Sequence, residues 1–296
     1  MGTVVIPLGQ KTATANSISS GSSVSCFRRA LPVCASTLFQ MNAILSSSPV
    51  NLARLIAVVG NDPGMTANLL RETAAADREA ACDQLLDAIV DIGIRRLQAM
   101  LLRTPLMTGH EAHSASYVAW RNHSELTAVV AESIARTCGG LVAARARVGG
   151  LLHDIGKLPL LLSHAAQASA TEAVWSDVPE VADGEVSHCD VGYELAQAWG
   201  FSSTLCQCIR EHHTNEAVGR ECVLAVVIAA DRVCHRCGVT LNAEMARTYG
   251  DMPLREILCE ALPWQDAQKV EAAAGQVRRA YEMWQRSHPN SSFVKI

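Results

Sequence analysis

Seven side chains with nitrogen or oxygen donors, His123, His153, Asp154, His188, His212, His213 and Asp231, stand in or beside segments that read as helices. Imidazole and carboxylate together suit Fe, Mn, Zn or Ni, and a carboxylate can bridge two ions where a neutral imidazole cannot. Donors of these types on several helices of one bundle can close round one or two divalent transition-metal ions. At the centre is the run Gly150-Leu151-Leu152-His153-Asp154-Ile155-Gly156-Lys157, where a histidine and a carboxylate stand side by side. Two ions about 3.5 to 4 Å apart can share a nucleophile and neutralise a phosphoryl group under in-line attack. Lys157, about one turn beyond the pair, can reach a phosphate oxygen as a point charge, or can simply complement a helix C-terminus. Asp154 and Lys157 are therefore the candidate catalytic side chains, and Gly156 permits a turn or close approach at the helix end. His110, His113, His164, His235 and His288 are expected to be ordinary core or surface histidines. Trp120 and Trp199 are expected to anchor the core.

The elements that must position these residues are helical throughout. Leu38, Met41, Ile44 and Leu45 recur at helical spacing, and Ser48-Pro49-Val50-Asn51 breaks the pattern. Asn51 is placed to cap a stripe of Leu52, Leu55, Ile56 and Val59, and Asp62-Pro63 reads as a cap followed by proline at the first helical position. Helices are predicted over Cys82 to Ile92 and Ile94 to Leu102, broken at Gly93. They continue over Tyr117 to Cys138, Val142 to Asp154, Pro159 to Trp175, His188 to Trp199, Thr204 to His213 and Val223 to Cys237. An acidic loop carrying Asp177, Glu180, Asp183 and Glu185 lies among them. Leu254 to Leu262 and Asp266 to Trp284 complete the pattern, and no useful period-two alternation occurs. The fold is predicted to be all-α.

Four regions follow: a Ser-rich arm over 1–29, an N-terminal helical subdomain over 30–106, a helical bundle holding the donors over 107–238, and a C-terminal helical extension and tail over 239–296. The arm's composition cannot bury enough apolar surface to offset its ordering. With 296 residues, 49% of them hydrophobic, the chain can build a substantial core. A net charge of −4 and a pI near 6.2 offer no basic face, so no nucleic-acid partner is expected. No apolar run approaches the roughly 18 to 20 residues of a membrane span, and no signal-peptide pattern opens the chain; a cytoplasmic protein without a membrane partner is expected. Eleven irregularly spaced cysteines read as small buried hydrophobes in a reducing compartment. Cys234-His235-Arg236-Cys237 has no second pair to complete a zinc site and continues the helix that carries Asp231.

His123, His153-Asp154 and Asp231 resemble the H…HD…D signature of the HD superfamily of metal-dependent phosphohydrolases. His153-Asp154-Ile155-Gly156-Lys157 is similar to its HDIGK core. Leu31-Pro32, the stretch Asn61-Asp62-Pro63-Gly64-Met65, Trp120-Arg121-Asn122-His123 and Ala198-Trp199-Gly200-Phe201 resemble the HDOD family, the HD-related output domain of bacterial signalling. The likeness covers roughly residues 31 to 237. It implies a bilobed all-helical protein, an N-terminal helical subdomain packed on an HD-type bundle, that binds partner signalling proteins.

His188-Cys189-Asp190-Val191-Gly192 and His212-His213 are similar to segments of the related HD-GYP cyclic-dinucleotide phosphodiesterases, with Cys189 in place of a proline. That resemblance implies a first metal on His123, His153, Asp154 and Asp231, and a second on a bridging Asp154 with His188, His212 and His213. Ala119 stands where some of those enzymes carry a third-metal glutamate, and the GYP triplet is missing after His213. Two functions are thus open. One is a signalling module with a mono- or dinuclear metal site. The other is an active phosphohydrolase or phosphodiesterase on a nucleotide or cyclic dinucleotide.

Overall fold

The computed structural model describes residues 29–76, 83–107, 114–138, 140–168, 187–214, 222–240, 242–262 and 266–289. The Ser-rich arm, His110, His113, the acidic loop and the polar tail lie outside the described residues, as do Cys82 and Trp175 at two predicted helix ends. The described residues are all-helical apart from turns and one isolated parallel bridge between Val33 and Leu106.

The N-terminal helices are α1 (Ala35–Leu45), α2 (Leu52–Val59), α3 (Pro63–Ala76) and α4 (Leu85–Arg103). Local chemistry sets their ends. The Asn51 side chain caps α2 by accepting from Arg54 N at 2.9 Å. Asp62 caps α3 by accepting from Met65 N at 2.9 Å, and its other oxygen accepts from Thr37 Oγ1 at 2.7 Å, tying α1 to α3. Asn68 pairs with both the N–H and the C=O of Leu31, each at 2.8 Å, which fastens the incoming strand-like segment to α3. The expected break at Gly93 is present: the residue has φ 70° and ψ 160° inside α4, a conformation open to glycine and strained for any other residue.

The bundle that follows consists of α5 (Ala115–Cys138), α6 (Gly140–Leu152), α7 (Lys157–Ala168), α8 (His188–Ala198), α9 (Ser203–Glu211) and α10 (Cys222–Arg236). Then come α11 (Ala243–Tyr249), α12 (Leu254–Ala261) and α13 (Ala267–Ser287). Two apolar cores organise the chain. The first joins the N-terminal helices to the near faces of α5 to α9 through Leu31, Met41, Leu69, Trp120, Leu151 and Ile155. The second gathers α10 with α5 and the C-terminal helices through Ile134, Val227, Ile257, Val277 and Trp284. The donor-bearing segments run between these two cores, so the site is walled by apolar side chains on both sides.

Two predicted helices end differently. The helix read to Asp154 stops at Leu152, and residues 153–156 form a tight turn before α7 begins at Lys157. The reason is steric. Gly156 lies so close to the start of α8 that an added Cβ would stand 2.0 Å from His188 O and 2.5 Å from Gly192 N. The chain must turn there to let α8 approach. Similarly, α9 ends at Glu211, leaving His212 at its C-cap and His213 in the turn beyond.

Candidate metal centre

Every candidate donor arrives at one place. His123 comes from the middle of α5, His153 and Asp154 from the turn after α6, and His188 from the first position of α8. His212 and His213 follow α9, and Asp231 lies in α10. All are buried except His213, which is partly exposed. Gly150 makes the central approach possible, because a Cβ on it would meet Thr127 O at 2.8 Å; its absence lets α6 lie against α5 and brings His153 to His123. Trp120, one turn before His123 on α5, donates its indole N–H to Asp154 O at 3.0 Å and holds the turn in place.

The donors form two sets that meet at Asp154. In the first, His123 Nε2 lies 3.0 Å from Asp231 Oδ1, 3.2 Å from His153 Nε2 and 3.6 Å from Asp154 Oδ2. In the second, Asp154 Oδ1 lies 3.2 Å from His188 Nε2 and 3.4 Å from His212 Nε2, and His188 Nε2 lies 3.1 Å from His213 Nε2. Adjacent ligands at about 2.1 Å from one ion are about 3.0 to 3.4 Å apart, depending on the geometry. The spacings within the two sets run from 3.0 to 3.6 Å, within a few tenths of an ångström of that range.

Hydrogen bonds behind the site decide which nitrogens face it. His123 Nδ1 lies 2.7 Å from Val239 O, and His153 Nδ1 lies 2.7 Å from Gly150 O. His212 Nδ1 lies 3.1 Å from Cys208 O and 3.0 Å from Ile209 O. A carbonyl oxygen only accepts, so these nitrogens carry the proton and the neutral rings turn the Nε2 lone pair inward. His123 and His153 then face each other lone pair to lone pair at 3.2 Å, beside two carboxylates. Such an arrangement is repulsive unless positive charge stands among the acceptors, either as extra protons or as a cation.

In the second set burial keeps extra protons off two of the rings. Burial, then the charge of Lys157, pushes the His188 imidazole down to about 4, and burial, then His212, pushes His213 down to about 2. Both rings are neutral near pH 7, as metal ligands must be. Burial opposes ionisation of Asp154, but the charge of Lys157, first among its neighbours, outweighs it and holds the carboxyl well below the usual range. Burial is likewise outweighed at Asp231, chiefly by His235 and by hydrogen bonding within the cluster. Asp154 Oδ1 is fully buried with no hydrogen-bond partner of good geometry, a costly condition for a carboxylate oxygen that a cation would relieve.

Lys157 begins α7 and places Nζ 2.7 Å from Asp154 Oδ2, on the side of the first set. Two residues at the site were not among the sequence-predicted donors. His235, expected to be an ordinary histidine, is buried one turn beyond Asp231 with Nε2 3.2 Å from Asp231 Oδ1. The i, i+4 spacing to Asp231 on one helix was the available signal. Cys189, beside His188, places Sγ 3.4 Å from His188 Nε2; burial pushes its thiol up to about 12. Elsewhere, Trp120 and Trp199 are core residues as expected, and His288 stacks on Trp284 at 4.1 Å at the edge of the second core. Cys234 and Cys237 are buried free thiols.

The bundle is all-helical and draws histidines and aspartates from successive helices to one buried point, the arrangement that the resemblance to the HD superfamily implies. The family model of the HDOD domain matches residues 31–215, well over half of the sequence, and the chain belongs to the HDOD family. An uncharacterised protein of Treponema pallidum (strain Nichols) is 22% identical over 192 residues, covering 62% of this chain and 37% of that protein. The chain thus spans little more than a third of that curated relative. Among solved structures, a virulence factor from Campylobacter jejuni superposes with a TM-score of 0.64 at 14% identity, covering 92% of this chain and 99% of the other. The MmoQ response regulator from Methylococcus capsulatus superposes with a TM-score of 0.55 at 22% identity, covering 78% and 98%. At these identities the likeness is one of fold. Among the described residues no helix is long and apolar enough to cross a membrane.

Proposed function

We propose that this HDOD protein is a signalling module that binds partner proteins and is built round a dinuclear transition-metal centre. His123, His153, Asp154 and Asp231 hold one ion, and Asp154, His188, His212 and His213 hold the other. The observation that carries the metal assignment is the convergence of Nε2 lone pairs fixed from behind by Nδ1–H donors to backbone carbonyls. Neutral imidazoles oriented by such bonds are the usual form of histidine ligands. The response-regulator name of the Methylococcus structure supports the signalling role. So does the surface: of the exposed large apolar side chains among the described residues, all but Val118 and Met283 lie between Phe39 and Leu106. We assign the partner-binding face to these N-terminal helices, since contiguous exposed apolar surface marks a place where other proteins bind.

A second reading, hydrolysis of a nucleotide or other phosphodiester, is favoured by Lys157. Its ammonium stands at the edge of the first set, where a phosphoryl group would meet it as a point charge. Divalent ions bound there supply Lewis-acid polarisation and charge neutralisation. The chain's own contribution is a largely buried site, two fixed carboxylates and one cationic side chain. The test has two stages. Purified protein is expected to hold up to two equivalents of transition metal by elemental analysis, and Asp154→Ala to lose most of both. An empty wild-type protein would overturn the metal assignment. Metal-dependent cleavage of a generic phosphodiester, abolished in His153→Ala, would turn the choice to the enzyme; failure with nucleotides and cyclic dinucleotides leaves the signalling module.

A further inference from the structure

Cys189 is not among the ligands assigned above, yet its sulfur stands inside the second donor set. The ligand atoms of His188, Cys189, His212 and His213 all lie within 4.8 Å of one another. The sulfur is 3.4 Å from His188 Nε2, and that nitrogen is 3.1 Å from His213 Nε2 and 3.5 Å from His212 Nε2. With Asp154 the ion is five-coordinate, and at Zn–S near 2.3 Å and Zn–N near 2.05 Å, edges subtending roughly 90° to 120° run from about 3.1 to 3.8 Å for S and N and from about 2.9 to 3.6 Å for two N. The observed spacings agree with those edges to a few tenths of an ångström. Residues at successive helix positions normally diverge by about 100°. Here His188 is the first residue of α8 and Cys189 the second, and Ser187, the N-cap, accepts from Cys189 N at 3.2 Å. At that helix start both side chains reach the same point. A separate observation also points to a ligand there: the buried Asp154 Oδ1, without a well-formed hydrogen bond, is aimed into this set at 3.2 Å from His188 Nε2 and 3.4 Å from His212 Nε2.

We propose that Cys189 is a thiolate ligand of the second ion, so that this half of the centre takes a thiophilic ion such as Zn(II), Fe(II) or Co(II) in preference to Mg(II) or Mn(II). The proposal rests on the second metal site assigned above. On binding, the S–H bond breaks, a metal–sulfur bond forms and the proton leaves to solvent, with no change of oxidation state. Soft thiolate among imidazoles shifts the preference towards these metals and away from hard, oxygen-seeking ones. Once bound as a thiolate, the partly exposed sulfur opens this half of the centre to oxidants, while the first set contains no sulfur.

The test uses the full chain, stripped of metal under reducing conditions and titrated with Co(II). Two equivalents are expected to bind, with visible ligand-field bands and a near-ultraviolet thiolate-to-cobalt charge-transfer band of one-thiolate intensity. Cys189→Ser should keep the ligand-field bands and helicity, lose the charge-transfer band and weaken Zn(II) binding at the second site about tenfold or more. Cys259→Ser, at an exposed cysteine far along the chain, should keep the band. In the wild type, with alkylation run at about pH 9 and for long enough that the metal-free protein is measurably labelled at Cys189, one equivalent of Zn(II) beyond the first should protect it from iodoacetamide, read by peptide mass spectrometry. This decides the matter even if the serine variant folds poorly. Binding of two Co(II) ions without the band, a band that survives in Cys189→Ser, or alkylation indifferent to Zn(II) would overturn the thiolate ligand and leave a histidine-only site standing. Absence of any bound Co(II) would overturn the metal centre itself.

Discussion

Gly156→Ala should dismantle one half of the centre and spare the other. The added Cβ would sit 2.0 Å from His188 O and 2.5 Å from Gly192 N, both backbone atoms that cannot rotate away. An ordinary Cβ contact needs at least 3.0 Å and is comfortable from 3.4 Å. The turn at 153–156 and the start of α8 must therefore separate by about 1 to 1.4 Å, or the turn must deform by as much. Asp154 Oδ1 and His188 Nε2, now 3.2 Å apart, would move to more than about 4 Å, too far to stay adjacent ligands of one ion at ligand distances of about 2.1 Å. The first set depends on the turn only through its near end, where Gly150 O holds His153 and Trp120 holds the Asp154 backbone, while His123 and Asp231 come from α5 and α10. Overpacking of this kind costs about 1–3 kcal/mol, at the upper end here because both clashing partners are main chain. Elemental analysis should show bound metal falling from two equivalents to one, and urea unfolding should show the midpoint lowered at unchanged slope. A variant that keeps both equivalents and wild-type stability would refute the reasoning that close approach of α8 to this turn builds the second site.

Three further outcomes are expected. Metal-stripped protein should lose stability as pH falls from about 6.5 towards 4, because the unfolded chain takes up protons on His188 and His213 before the folded chain does; the slope is about 1.4 kcal/mol per pH unit for each ring, and urea unfolding of His188→Gln against pH should show it reduced. Trp120→Phe removes the donor to Asp154 O at 3.0 Å and should cost about 1–3 kcal/mol, with weakened metal retention against a chelator; unchanged retention would show that the indole does not position the turn. Asn68→Ala breaks both hydrogen bonds to Leu31 and should cost about 2–4 kcal/mol in urea unfolding while leaving metal stoichiometry unchanged, because that pair lies in the N-terminal helices.

The candidate donors are legible in the sequence because the His153-Asp154 pair and His123, His188, His212, His213 and Asp231 are polar residues set in apolar helical patterns. Helix punctuation was equally visible: Asn51 and Asp62 cap where their side chains allow it, and Gly93 breaks α4 where its φ is positive. What escaped depended on contacts between distant segments. The end of α6 at Leu152 is imposed by α8 packing on Gly156, a contact with residues more than thirty positions away. Cys189 looked like a substituted proline until the start of α8 turned its sulfur towards His188. His235 looked ordinary because its relation to Asp231 is plain only when that aspartate is already known to face the site. A donor's type is written in the sequence, but the direction of its side chain is fixed by packing.

The central claim is that two cations sit on either side of the Asp154 carboxylate. Anomalous diffraction from crystals of protein purified without chelator, collected above and below the relevant metal edge, tests it most directly. Two anomalous peaks are predicted, one among His123, His153, Asp154 and Asp231 and one among Asp154, His188, Cys189, His212 and His213. A well-ordered centre with no anomalous signal at full protein occupancy, and imidazoles bridged by water alone, would contradict it.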